Sequence, residues 1–226
     1  NDLPLAKYLQ ARYDLPVSVL NDSQAAAIGE YVYGWAGKSE GNLVVVNVTH
    51  GIGAGILING RLFQGDGGGA GEIGHVVVLE SGVQCRCGKK GCLETIASTR
   101  AIVQRFQSLA GSSQAVSLDS VLEAYLVHDP RARQVVSEAG CYLGKSLASL
   151  VSTLNIQHIV LTGDMTRFGE DWLQSVGEAM RRSTLTKLAN NTKLDFGKLG
   201  FHGCILGASA FMLLGGYSLL FQSEDN

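Results

Sequence analysis

The chain has 226 residues, 46% of them hydrophobic and 17% charged, with a formal net charge of −2. That length can bury a substantial core, as one large domain or two lobes, and the composition is that of a globular rather than a disordered chain. The near-neutral balance offers no global basic field for nucleic acid. The longest apolar runs, 43–46 and 211–214, are far too short to span a bilayer. No signal peptide is in view, so the expected location is the cytoplasm, with no membrane partner.

Residues 3–13 are predicted as a short helix with Leu5, Tyr8 and Leu9 on one face. Residues 17–20 read as a buried strand. An Ala-rich helix over 23–35 follows, with Asp22 or Ser23 as its N-cap. A polar turn over 37–42 leads into a second buried strand, 43–48, whose continuous apolarity fits a sheet covered on both faces. Residues 51–55 are expected to be a glycine-rich turn. Residues 56–58 then pair back through Asn59-Gly60, a type I′ signal, with 61–64 as the return arm.

Further on, Ser98 is placed to cap a helix through Ala110, ended by Gly111. A helix over 117–128 follows. Asp129-Pro130 opens a long one to Leu154, with Asp at the N-cap and Pro at the first helical position. Gly140, Gly144 and Ser149 on that helix allow another helix to pack closely. The rest of its apolar stripe, with residues 211–220, is the expected surface for a homodimer or homotetramer. Residues 156–161 read as a strand, 172–180 as an amphipathic helix and 206–214 as a buried helix. Strands alternating with helices argue α/β, with a mixed, mostly parallel sheet flanked by helices.

The stretch from Gly65 to Glu94, GDGGGAGEIGHVVVLESGVQCRCGKKGCLE, carries the clearest chemistry. Cys85, Cys87 and Cys92 fall within eight residues, and His75 precedes Cys85 by ten. One imidazole and three thiolates make a closed tetrahedral set of the kind that holds structural Zn²⁺. Gly88 and Gly91 supply the backbone freedom that a tight thiolate knuckle needs. The alternatives are a disulfide or buried free thiols. Against them stand the odd total of five cysteines, Cys141 and Cys204 included, and the poor disulfide geometry of cysteines one residue apart.

Asn21-Asp22 lies where a strand is expected to end and a helix to begin, the place where α/β folds collect ligands. Asp22 either serves as a general base towards a hydroxyl or merely caps the helix. Glu72, His75 and Glu94 suit bidentate hydrogen bonds to vicinal hydroxyls, or are ordinary surface residues. Residues 49–55, THGIGAG, either cradle phosphate with backbone N–H groups or form a plain hairpin turn.

GEIGH followed by CRCGKKGCLE resembles the signature of the ROK family of sugar kinases and sugar-responsive transcriptional regulators. LNDSQAAAIGE resembles that family's ND segment. The resemblance implies zinc on His75, Cys85, Cys87 and Cys92. It implies sugar contacts from Asn21, Asp22, Glu72, His75 and Glu94, with Asp22 as catalytic base in a kinase, and one part of an actin-like, hexokinase-like ATPase fold. His75 would place one ring nitrogen on zinc and the other towards the sugar. Kinases of the family show GTGIGxG where this chain has Thr49, His50 and Gly51, and a GGG-like segment where it has Thr162-Gly163-Asp164. An imidazole and a carboxylate in a phosphate site argue against ATP use.

The whole chain, 1–226, is therefore expected to be the sugar-binding region of a regulator. The resemblance places an N-terminal lobe and a helix-turn-helix domain for DNA outside it. An ATP-dependent hexose or N-acetylhexosamine kinase is the alternative. A purely structural zinc module would explain the cysteines but not the polar set around them.

Overall fold

Every residue of the run Leu43–Val48 is buried, as a strand covered on both faces requires. It is the middle strand of the sheet in the computed structural model, which describes residues 4–35, 41–111 and 115–221, with side chains as far as Leu213. The described residues form α1 (Leu5–Tyr13), α2 (Asp22–Gly29), β1 (Leu43–Val48), β2 (Ile52–Ile58) and β3 (Arg61–Leu62). The short α3 (Glu94–Ala97), α4 (Thr99–Ala110), α5 (Leu118–Leu126) and α6 (Pro130–Leu154) follow. The chain continues through β4 (His158–Thr162), α7 (Gly169–Ser183), α8 (Thr186–Asn191), β5 (Lys193–Phe196) and α9 (Gly203–Phe221).

The sheet order is β3-β2-β1-β4-β5. β1 and β3 each pair antiparallel with β2, while β4 is parallel to both β1 and β5. Four of the five strands thus point one way, the mixed and mostly parallel sheet that the alternation predicts. Strand alternation sorts the side chains onto two faces. Val44, Val46 and Val48 join Leu143, Leu147, Trp172 and Val176 of α6 and α7 in the larger core. Leu43, Val45, Leu57 and Val160 face the other way, onto Ala27 of α2. Leu143 and Leu147 are fully buried, and each such side chain contributes about 1.5–3 kcal/mol of transfer free energy.

Caps set several boundaries where the sequence puts them. Ser98 Oγ accepts from the Ala101 N–H at 3.2 Å, and Gly111 ends α4 in the left-handed region at φ 63°. Asp129 accepts from the Arg131 N–H at 2.8 Å, one residue past Pro130. Asn59 and Gly60 both have positive φ, 52° and 73°, as a type I′ turn demands.

Other expectations are corrected. Residues 17–20 form no strand; no strand among the described residues pairs with them, and Val19 is exposed. An apolar run of four has no ladder of its own. The N-cap of α2 is Asn21, whose side chain accepts from the Ser23 N–H. After Gly29 the helix widens into a π-turn, Glu30–Gly34. Gly53 and Gly55 lie inside β2 rather than in a turn. A Cβ on Gly55 would fall 2.5 Å from the Ser23 carbonyl oxygen, so glycine there lets α2 lie directly on the sheet. The return arm is only two residues long. Residues 206–214 belong to the longer α9, which is not buried all round: Ile205, Met212 and Leu213 are exposed. α8 and β5 went unread in the sequence.

The expected close packing on α6 is met within the chain. Gly140 lies against Ser175 and Trp172, and Gly144 against the Val176 carbonyl, so α7 occupies the small-residue groove. Most of the expected polar turn 37–42 and the residues past Leu213 in the expected subunit surface lie outside the described residues or side chains.

Candidate sugar site and metal centre

The segment after β3 doubles back on itself through short bridges, Val77 with Cys92 and Gln84 with Lys90. At its tip the Cys85 N–H donates to the Lys89 carbonyl at 2.8 Å and the Gly88 N–H to the Cys85 carbonyl at 3.0 Å. Gly88 takes φ 91° in this knuckle, a conformation that only glycine adopts without strain. The knuckle gathers the three sulfurs beside His75. One ligand atom from each of His75, Cys85, Cys87 and Cys92 lies within 4.8 Å of the others. Cys85 Sγ is 3.5 Å from His75 Nδ1, and Cys87 Sγ is 3.5 Å from Cys92 Sγ. All five cysteines are free thiols, which removes the disulfide alternative.

The donor set fits a cation. Burial first, then the neighbouring Cys87 and Cys85 sulfurs, push the Cys92 thiol up to about 12. The Lys89 backbone N–H, aided by hydrogen bonds from the other two thiols, pulls the exposed Cys87 thiol down. Three thiols this close cannot all ionise without a positive charge between them.

His75 faces two ways. Its Nδ1 points into the sulfur cluster, and its Nε2 lies 3.8 Å from a Glu72 carboxylate oxygen. On that second side a polar cavity of about 230 Å³ opens. Asn21, Asp22, Thr49, His50, Gly51, Glu72, His75 and Glu94 all line it. Residues up to 73 positions apart are brought together by the start of α2, the β1–β2 turn, the 3₁₀ turn Ile73–His75 and the start of α3. Asn21 Nδ2 donates to Glu72 at 3.3 Å. Asp22 Oδ1 accepts from the Ser23 N–H at 2.7 Å, while its Oδ2 has no partner among the described residues. With Asn21 as the cap, that oxygen is left for a ligand.

Gly163 is not in the cavity wall but directly behind it. It takes φ 90°, and a Cβ there would fall 2.5 Å from the Val48 carbonyl oxygen and 2.8 Å from Asn47 Oδ1. Asp164 opens the 3₁₀ turn that follows.

Three residues escaped the sequence reading. Arg86, between two of the cysteines, places Nε 3.2 Å and Nη2 3.4 Å from the two oxygens of Glu94. Asn47 is 8% exposed, lines the cavity and accepts from Thr162 Oγ1 at 3.4 Å. A lone amide inside the run LVVVNV was the available signal. Glu30 is fully buried and accepts from the N–H groups of Lys198 and Leu199 at 3.0 and 2.9 Å. Nothing local marked it, because its partners lie about 168 residues away.

Comparison with known proteins places this geometry. The ROK family profile matches residues 1–214. The chain is 33% identical over 221 residues to a glucokinase of Halalkalibacterium halodurans, covering 91% of this chain and 66% of that protein. It is also 33% identical over 215 residues to the DNA-binding transcriptional dual regulator NagC of Escherichia coli, covering 92% of this chain and 52% of that one. The crystal structure of a ROK hexokinase from Thermus thermophilus superposes with a TM-score of 0.83 at 30% identity, over 94% of this chain and 71% of that one. The hexokinase-like fold implied by the sequence is thus the fold observed. The chain spans about half the length of the curated repressors and regulators it matches. Family profile, fold and cavity agree: the chain belongs to the ROK family.

Proposed function

We propose that the chain is the sugar-sensing region of a ROK-type transcriptional regulator. It binds a sugar or sugar phosphate in the cavity between Asn21 and Glu94, and its occupancy governs a DNA-binding domain outside these residues. One observation carries the choice of regulator: the turn beside Asp22 presents His50, and the loop behind it turns at Gly163 into Asp164. Phosphoryl transfer is positioning and electrostatics around a polyanion. An imidazole in the cradle and a carboxylate just past the glycine both work against a bound γ-phosphate.

The kinase reading is kept by a specific feature, the unpartnered Asp22 Oδ2 at the cavity wall. Relatives of both kinds stand at equal identity, so the comparison does not choose between them.

His75, Cys85, Cys87 and Cys92 would hold a structural Zn²⁺. When bound, the ion cross-links the knuckle and fixes the His75 ring. A cytoplasmic homodimer or homotetramer completes the proposal. No helix among the described residues is long and apolar enough to cross a membrane.

The test is a coupled assay of the intact protein with ATP, across hexoses and N-acetylhexosamines, beside an operator-binding measurement. The expected result is negligible ADP release and sugar-dependent DNA binding. Sugar-dependent turnover on the order of 1–100 per second would decide for the kinase.

A further inference from the structure

Asn47 stands in the wall of the polar cavity with one end of its amide unused. In β1, Val44, Val46 and Val48 face α6 and α7, while Leu43 and Val45 face α2. Strand alternation turns Asn47 to the α2 side as well. Its partners across the sheet are Gly53 of β2 and Thr162 of β4. A Cβ on Gly53 would fall 2.5 Å from Ser23 Oγ, so the first turn of α2 lies directly above, with Asp22 beside it. Thr162 Oγ1, in a residue only 6% exposed, donates to Asn47 Oδ1 at 3.4 Å. That bond occupies the oxygen end of the amide. The nitrogen end has no partner among the described residues, although Asn47 is only 8% exposed and lines the cavity with Asp22 and Ser23. An amide donor buried this deeply is unfavourable unless something accepts from it.

We infer that Asn47 is a ligand-binding residue, whose Nδ2 donates to the oxygen of a sugar hydroxyl while Asp22 Oδ2 accepts the proton of that same hydroxyl. The inference rests on the sugar-site reading and deepens it by one residue and one ligand group. A hydroxyl both donates and accepts, whereas an ionised carboxylate only accepts and an amide NH₂ only donates. Asp22 Oδ2 is without a partner too, so the cavity offers one free end of each kind at the same turn of α2. Asp22 alone would take any donor, an amine included. With Asn47 beside it, the site demands a group that gives and takes at once. A site that pairs both halves of a hydroxyl rejects the analogue lacking it, because both partners are then left unmatched. Thr162 is the strut of this arrangement: while its hydroxyl holds Oδ1, the amide keeps its nitrogen towards the ligand.

The test uses calorimetry on the intact, zinc-loaded protein. Hexoses and N-acetylhexosamines are screened first, then the monodeoxy analogues of the sugar that binds most tightly. Asn47→Asp keeps the shape of the side chain and an oxygen for Thr162 to hold, and loses the donor, so a merely structural role would survive it. Asn47→Asp and Asn47→Ala are each expected to weaken binding of that sugar by about ten- to hundredfold, and Thr162→Val to weaken it less. One monodeoxy analogue should bind the unaltered protein and Asn47→Ala alike, because it lacks the hydroxyl that Asn47 contacts. Melting temperatures and zinc content check that the variants fold. Undiminished affinity in Asn47→Asp, or an equal loss in Asn47→Ala across every monodeoxy analogue, would overturn the inference while leaving the sugar site standing. Failure of every sugar to bind the unaltered protein would overturn both.

Discussion

His75 Nε2 stands 3.8 Å from a carboxylate oxygen of Glu72, while the other nitrogen of the same ring faces the Cys85 sulfur at 3.5 Å. One imidazole therefore belongs to two sites without turning. A metal held by the four side chains would fix the His75 ring, and a neutral imidazole whose Nδ1 served as its ligand would carry its proton on Nε2, as a donor towards Glu72 or a sugar hydroxyl. Cys87→Ser should empty the metal site, because Cys87 closes the four-ligand set. It should also weaken sugar binding by about tenfold or more, the usual scale for losing a group that orients a ligating histidine. Elemental analysis and calorimetry on the same preparation check both effects. Full sugar affinity in metal-stripped protein would show that the two sites are independent.

Glu30 ties the π-turn after α2 to the loop that precedes α9. Its two oxygens accept from the Leu199 and Lys198 N–H groups, in a site with no exposure to water. Glu30→Ala would leave two backbone donors without their acceptor and open a hole at a fully buried side chain, at roughly 1–3 kcal/mol in all. Glu30→Gln keeps one carbonyl acceptor and should cost clearly less. Thermal melts of the two variants check the ordering. Equal melting temperatures for Glu30→Ala and the parent would mean that water replaces the carboxylate.

The contrast between Ser98 and Glu30 shows what the sequence could and could not reveal. Ser98, Asp129 and Pro130 act on residues two or three positions away, so the ends of α4 and α6 were readable. The cluster of His75, Cys85, Cys87 and Cys92 was readable because three of the four fall within eight residues. Glu30 and Asn47 act through partners more than 100 residues distant, and only the folded sheet brings those together. The missed β5 is four residues long and only partly buried, which leaves no apolar signal. Residues 17–20 erred in the opposite direction. Their apolar pattern promised a strand, but a strand exists only through a neighbour's hydrogen bonds.

Asp129 offers a pH test on the long helix. Its carboxylate accepts from the Arg131 side chain at 2.6 and 3.1 Å and from the Arg131 backbone N–H at 2.8 Å. Those side-chain bonds foremost, partly offset by burial, hold it down to about 2 from an ordinary 3.8. A carboxyl depressed in the folded state adds stability above its unfolded value, and that contribution is lost as pH falls through the folded one. The window is therefore pH 4 to 2. Asp129→Asn keeps a good capping residue but no charge. Melting temperatures of the parent should drop more steeply than those of the variant across that window. Parallel curves would show that the ion pair contributes nothing to the stability of α6.

Glu94 is the most direct probe of the proposed sugar site. Its side chain is only 12% exposed, backs onto Gly51 and is gripped by Arg86 from the metal knuckle. The pair leaves the carboxylate fixed in orientation and still able to accept from a sugar hydroxyl, since each oxygen has more than one lone pair. Glu94→Gln preserves shape while removing the charge and one acceptor. Losing one such partner in a polar, half-buried site costs about 1–3 kcal/mol, roughly ten- to hundredfold in affinity. Zinc content should stay unchanged, because Glu94 is not among the four ligands. Arg86→Gln in the Glu94→Gln background should add little, since the two residues act through one contact and such pairs are non-additive. Calorimetry on the two single variants and the double variant measures this. Unchanged affinity in Glu94→Gln would remove Glu94 from the sugar site, and fully additive losses would mean that Arg86 touches the ligand on its own.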